Sequence, residues 1–249
     1  MMTDLKINGV SFQPEARMLS EMKSTIYDKK WLSSVKDFPA YWFYRDVYLD
    51  KDEKDEINRN DVQFDITIIP PVTFGLELPK TKGHHHPTVS GLKITYPEIY
   101  QVISGKALFI FQKDNGKEVF DVVMVQAKKG DIAIIPPNYG HVTINDSSEE
   151  LRISNIVCRS FSSDYSVMEK NSGASYYKMH DQKIIRNSSY SKCSPPRFLK
   201  PVRLDKKENS SVFELIQLAK QKNVIEFLTK PKDLDYFEPK IIYRIFQAR

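Results

Sequence analysis

The stretch TKGHHHPTVSGLKITYPEIYQVISG (residues 81–105), read together with GDIAIIPPNYGHVTIN (residues 130–145), decides how this chain folds. His84 and His86 are two apart, so on an extended strand both imidazoles point to one face and His85 to the other. Glu98 opens an apolar run that ends at Ser104-Gly105, and His141 opens another after the turn Pro136-Pro137-Asn138. Four of the chain's five histidines fall inside these two segments. Three of them, His84, His86 and His141, make with Glu98 a mixed nitrogen and oxygen ligand set suited to first-row divalent metals. Octahedral coordination would leave two positions open for water or substrate oxygens, which metal-assisted chemistry requires and a closed structural site lacks. His180 lies outside the pattern and reads as structural.

Outward from these segments the chain is a succession of short strand-like runs. Residues 40–48 (AYWFYRDVY), 62–69 (VQFDITII), 98–104, 107–111, 119–125, 132–135 and 151–158 are rich in β-branched and aromatic residues. Turn signals separate them: Pro70-Pro71, Ser104-Gly105, Asp114-Asn115-Gly116 and Lys129-Gly130-Asp131. Many short strands between turns predict an all-β sandwich or barrel. Asn115-Gly116 is a hairpin signal, because both residues tolerate positive φ. Residues 14–35 read as helical, with Met18, Met22 and Ile26 at four-residue spacing, and residues 51–61 as an exposed charged loop.

Past residue 165 the strand pattern fades. Residues 1–190 are expected to form one domain with its barrel at about 40–165, and residues 191–210 to be a linker. Residues 211–249 are expected to be a helical extension. Ser211 and Glu214 make a capping box there, Val212, Leu215, Ile216 and Ala219 share a helical face, and a second helix runs from Asn223 to a stop at Pro231. Residues 241–246 (IIYRIF) are apolar enough to dock or to form a strand.

Bulk composition fits a globular protein with a sizeable core: 41% hydrophobic, 28% charged, formal charge +5. A mild positive excess suits an anionic small ligand at least as well as nucleic acid. No run approaches the roughly 20 apolar residues of a membrane helix, and MMTDLKINGV does not read as a secretory leader. Two cysteines make no disulfide framework, so free thiols and a cytoplasmic location are expected.

The spacing H-x-H, an interval, then E-x6-G, followed by G-x5-P-x-N-x2-H-x3-N, resembles the two motifs of the cupin superfamily, with Asn138 where glycine is usual. That resemblance implies a double-stranded β-helix, or jelly-roll, barrel. TKGHHH, PEIY, PPNYGH and VTIN further resemble the cupin-type glucose-6-phosphate isomerases found mainly in archaea. RMLSEM (residues 17–22), TIIPP (67–71) and Asp164-Tyr165 extend the likeness over roughly residues 17–190. Three positions depart from it. The interval between His86 and Glu98 is long, Val157 stands where an aromatic contact is expected, and Ser163 stands where a histidine is expected.

The resemblance implies a metal-dependent aldose–ketose isomerase, with His84, His86, Glu98 and His141 as ligands of one divalent ion per subunit. Iron(II) is the first expectation, with manganese, nickel, cobalt and zinc also suited. Glu98 and His141 are the catalytic candidates. Thr67, Thr81, Lys82, Gly83, Tyr100 and Tyr165 are the candidates for holding a sugar phosphate, since hydroxyls and close-approaching backbone N–H groups suit an anion. The fold alone does not assign a reaction. A cupin dioxygenase uses similar ligands, and a non-catalytic sugar sensor could carry a partner- or DNA-binding tail, with Lys220, Lys222, Lys230 and Lys232 as its charge. A homodimer is expected, without membrane or nucleic acid as partners.

Overall fold

The computed structural model describes residues 2–203, 215–216, 220 and 222–231. Two largely antiparallel sheets pack face to face. The larger runs in the order β16-β9-β6-β11-β5-β4-β3, built from Val202–Arg203 (β16), Asp131–Ile135 (β9), Glu98–Ser104 (β6), Leu151–Cys158 (β11), Val62–Ile69 (β5), Pro39–Tyr44 (β4) and Glu15–Met18 (β3). In the smaller, Gly140–Asn145 (β10), Lys106–Asp114 (β7) and Glu118–Lys128 (β8) follow one another, and Lys192–Cys193 (β14) and Pro196–Leu199 (β15) pair parallel with β8. This is the expected cupin barrel. Leu5–Ile7 (β1) and Val10–Phe12 (β2) form a separate hairpin whose turn residues, Asn8 and Gly9, both take positive φ. At the β7–β8 turn only Gly116 does so, at +80°. Asn115 acts there through its side chain, accepting from the N–H groups of Lys117 and Glu118.

Why β7 reads as an unbroken apolar run, ALFIF, becomes clear from its two faces. Ala107, Phe109 and Phe111 point between the sheets, into the main core with Val123 and Val125 of β8. Leu108 and Ile110 point outward, into a second apolar layer with Val122, Met124, Val142 and Ile144. Tyr190, Met168, Ala174 and Leu78 cover that layer from outside. They come from Leu78 before the ligand segment and from the chain after residue 165, which includes α3 (Ser166–Lys170), β12 (Tyr176–Lys178) and β13 (Ile184–Arg186).

Within the expected linker, residues 191–203 are not a plain linker, and residues 204–210 lie outside the described residues. β14 and β15 extend the smaller sheet, and β16 pairs with β9. Serines, prolines and lysines hid the strands because each is only two to four residues long. Residues 14–35 are not one helix either. Strand β3 is followed by a 3-10 turn over Leu19–Thr25 and a short α1 over Lys29–Leu32. The chain is pinned extended at Ile26 because Tyr27 N–H donates to the buried Glu77 carboxylate. Residues 51–61 hold a helix, α2 (Lys51–Arg59), capped by Asp50 accepting from Glu53 N–H. Its buried side is Glu53 and Ile57, a four-residue spacing with only one apolar member.

A helix α4 spans Lys222–Thr229 and packs on β11 and β5, where Val224 and Leu228, with Leu215 and Ile216, join the main core. Lys220 pairs with Glu53 at 3.2 Å and Lys222 with Glu226 at 3.9 Å. The Ser211–Glu214 capping box, residues 241–246 and Lys232 lie outside the described residues. Both cysteines, Cys158 and Cys193, are free thiols.

Candidate metal centre

Residues 79–85 run along β10 as an irregular edge strand. Asn145 N–H donates to Pro79 O, Thr81 N–H to Thr143 O, and His84 and His141 exchange backbone hydrogen bonds at 3.0 and 2.9 Å. Lys80 pairs with Ile144 and His84 with His141, so the ligand strand carries one extra residue between them. The extra residue makes a bulge at Lys82-Gly83, with Gly83 at φ +78°. A Cβ at Gly83 would meet His141 O at 3.3 Å. The bulge resets the alternation, so Thr81 and His84, three apart, both line the cavity. Past it the two-residue period resumes, His86 turns inward and His85 outward, where it meets Asp114 at 2.9 Å.

Three elements bring the candidate ligands together. The edge strand carries His84 and His86, β6 carries Glu98 at its first residue, and β10 carries His141. One donor atom from each of the four lies within 4.8 Å of the others. His84 Nε2 is 3.2 Å from His86 Nε2, and Glu98 Oε2 is 3.3 Å from His86 Nε2 and 3.1 Å from His141 Nε2. Around them, His86 Nδ1–H donates to Tyr96 O (2.8 Å), which leaves Nε2 with its lone pair directed inward. Asn155 Nδ2 donates to Glu98 Oε1 at 2.8 Å. The other oxygen, Glu98 Oε2, is buried with no hydrogen-bond donor of its own. An orphaned carboxylate oxygen facing imidazole nitrogens fits a cation between them.

Electrostatics agree. Burial and the neighbouring imidazoles push His84 well below the ordinary histidine range, and burial lowers His141 despite the pull of Glu98. Burial works against ionising Glu98, yet its close contacts with His141 and His86 hold its carboxyl far below the usual range. For His84 and His141 that direction favours the neutral imidazole, the form that binds a metal beside an ionised carboxylate. Tyr100, whose hydroxyl is 3.3 Å from His141 Nε2, is pushed well above its ordinary value by burial and by Glu98, so it stays a donor.

A cavity of about 90 Å³ opens on these ligands. Thr67, Thr81, Tyr100 and Tyr165 line it, as do Val157 and Ser163. Lys82 and Gly83 do not. Gly83 makes the bulge, and Lys82 turns away to pair with Glu169 and to sit 5.0 Å over the Tyr165 ring. The sequence reading missed Arg17, Arg45, Asn155 and Phe161, which line the same cavity. Phe161 stacks near His86 (4.6 Å) and against Tyr96 (4.8 Å), a source of aromatic surface that Val157 does not supply. A larger recess of about 760 Å³ opens among Thr73, Ser104, Asp146 and His180. Among the described residues the His/Glu cluster lies elsewhere, so size does not pick the site.

The family model for glucose-6-phosphate isomerase matches residues 17–194. The chain belongs to that family. Within the glucose-6-phosphate isomerases, the protein of Thermococcus litoralis is 31% identical over 130 residues, 52% of this chain and 61% of that protein. The Pyrococcus abyssi protein is 30% identical over 134 residues, 53% of this chain and 64% of that one. The chain thus spans about three-fifths of the length of the curated relatives it matches. A solved oxalate oxidase overlaps 59% of this chain and 55% of its own, at 15% identity and a TM-score of 0.34, an overlap too partial to carry an argument.

Proposed function

We propose that this chain interconverts glucose 6-phosphate and fructose 6-phosphate in a metal-dependent reaction. The observation that carries the reading is the donor set His84, His86, Glu98 and His141 beneath a cavity rimmed by Arg17, Arg45, Thr67 and Thr81. A divalent ion held there would act as a Lewis acid on the oxygens at C1 and C2. Thr81 Oγ1 accepts from Thr143 N–H, which leaves its own O–H to donate to a phosphate oxygen. Arg17 and Arg45 supply the cationic charge that a phosphate dianion calls for. Tyr100 is oriented to donate to a substrate oxygen beside His141. Among the described residues Glu98 is the one carboxylate lining the cavity, so it is the base if the hydrogen leaves C1 or C2 as a proton. The competing route moves the hydrogen directly between the two carbons and needs no base.

About 90 Å³ is small against the roughly 300 Å³ of an ordinary small-ligand pocket. A sugar phosphate therefore enters by displacing side chains at the mouth, where the two arginines lie. By family resemblance the reading extends to iron(II) as the resident ion and to a cytoplasmic homodimer working in glycolysis and gluconeogenesis. The test couples glucose 6-phosphate formation from fructose 6-phosphate to NADP reduction, before EDTA, after EDTA and after adding back single metals. Activity restored by metal is the expected result. A folded protein that binds metal yet turns over nothing would overturn the isomerase reading, and oxygen uptake with a thiol or diol would replace it.

A further inference from the structure

A departure from the isomerase likeness and one from the cupin motif meet in space. One is the long interval between His86 and Glu98. It folds into a small hairpin: Thr88 bridges Thr95, Val89 N–H donates to Ile94 O, and Tyr96 N–H donates to Pro87 O. Gly91 turns its tip at φ +78°, and Val89 and Ile94 are buried beneath it. The other departure is Asn138 in place of glycine, in the turn just before His141. Its φ is +68°, a conformation asparagine tolerates better than other side chains.

A glycine would satisfy that backbone equally well. What only the asparagine adds is an amide, and the amide reaches the hairpin. Thr95 N–H donates to Asn138 Oδ1 (3.1 Å), and Asn138 N–H donates to Thr95 Oγ1 (2.6 Å). This reciprocal pair sits next to Tyr96, whose carbonyl takes the Nδ1–H of His86 and whose ring stacks on Phe161 against that same imidazole.

We propose that Asn138 and Thr95 form a clamp that positions His86 for metal binding, by holding the Tyr96 carbonyl against His86 Nδ1. Both are positioning residues and neither touches substrate. The proposal rests on the metal-centre reading of the four side chains, but not on any particular reaction. A loose Tyr96 carbonyl would let the His86 ring rotate or change tautomer, and outer partners of metal-bound histidines are typically worth 10–100-fold in affinity. Asn138 acts one hydrogen bond further out, so about tenfold is expected.

The test measures cobalt(II) affinity by chelator competition, without substrate, on the full chain. Asn138→Gly keeps the backbone unstrained and removes only the amide. Asn138→Asp keeps the accepting oxygen for Thr95 N–H. The glycine variant should bind cobalt about tenfold more weakly, and the aspartate variant should stay close to the parent. Thr95→Val should fall with the glycine variant. Equal affinity in parent and glycine variant would overturn the clamp, as would an aspartate variant as weak as the glycine one. A drop in melting temperature with cobalt affinity unchanged would make Asn138 merely structural and overturn it too. A parent that takes up no cobalt would overturn the metal centre itself, along with the clamp.

Discussion

Replacing Arg45 with alanine should cost stability in a way that depends on pH, because of what it leaves behind. Asp65 sits on β5 with its side chain 2% exposed, and Arg45 Nη1 is 2.7 Å from its Oδ2. Breaking a fully buried ion pair costs roughly 3–5 kcal/mol. Arg45 is 47% exposed, however, and Asp65 keeps donors from Asp46 N–H and Gln63 Nε2. Solvent screening and the remaining hydrogen bonds bring the expected loss to about 2 kcal/mol. At roughly 2–4 °C per kcal/mol for a chain this long, the melting temperature should fall by about 4–8 °C near neutral pH.

Burial already raises the Asp65 pKa above the ordinary aspartate value, with Arg45 pulling it down. Without Arg45 it rises further. A carboxyl whose folded pKa exceeds its unfolded one favours the fold when protonated. The penalty is therefore absent below the ordinary aspartate range, grows as pH rises to the folded pKa, and is complete above it. Melting curves of Arg45→Ala across acid to mildly alkaline buffers should show a deficit that shrinks with acid. Adding Asp65→Ala should recover most of it. A deficit independent of pH, or a double variant no better than the single one, would refute the argument that an unpaired buried carboxylate causes the loss.

His141→Ala should lose metal retention, read by metal analysis after gel filtration, while its far-ultraviolet circular dichroism stays that of the parent. Glu98→Gln should lower kcat by about 10²–10⁴-fold if the carboxylate is the base, and turnover in deuterated water would then place label in the product. Cobalt binding should persist below the ordinary imidazole pKa of about 6.5, because burial keeps His84 and His141 neutral there; affinity that falls by half a decade or more already at that pH would count against it. Tyr190→Phe should cost about 1–3 kcal/mol in denaturant unfolding, since the buried hydroxyl donates to Gly173 O and accepts from Gln112.

What the sequence made legible follows from period. β5, β6 and β11 were readable to the residue because each is long and bounded by turn residues. The candidate metal ligands could be grouped from the sequence because two-residue alternation holds from His84 to His86. It fails at Lys82-Gly83, where the bulge breaks parity, and the two residues assigned to a ligand there are the two that do not line the cavity. Arg17 and Arg45 were illegible as cavity residues because each comes from a strand or turn far from the motifs, brought in only by the pairing of β3 and β4 with β5. Helix α2 escaped because one of its two buried positions is a glutamate, paired by Lys220 from a distant part of the chain.

The parallel strands β14 and β15 on the edge of β8, and β16 on the edge of β9, have a consequence for the order in which the chain can finish folding. Every candidate ligand of the metal centre has been synthesised once residue 141 is added, and the strands that hold them once residue 158 is. Both sheets nonetheless keep an open edge until residues 192–203 follow. During that interval a nascent chain presents unpaired N–H and C=O groups beside an uncovered apolar face, the combination that invites strand exchange between neighbours. Shortening the protein to its motif-bearing core would make that transient condition permanent, so a truncation after residue 165 is expected to aggregate even with its ligand set intact.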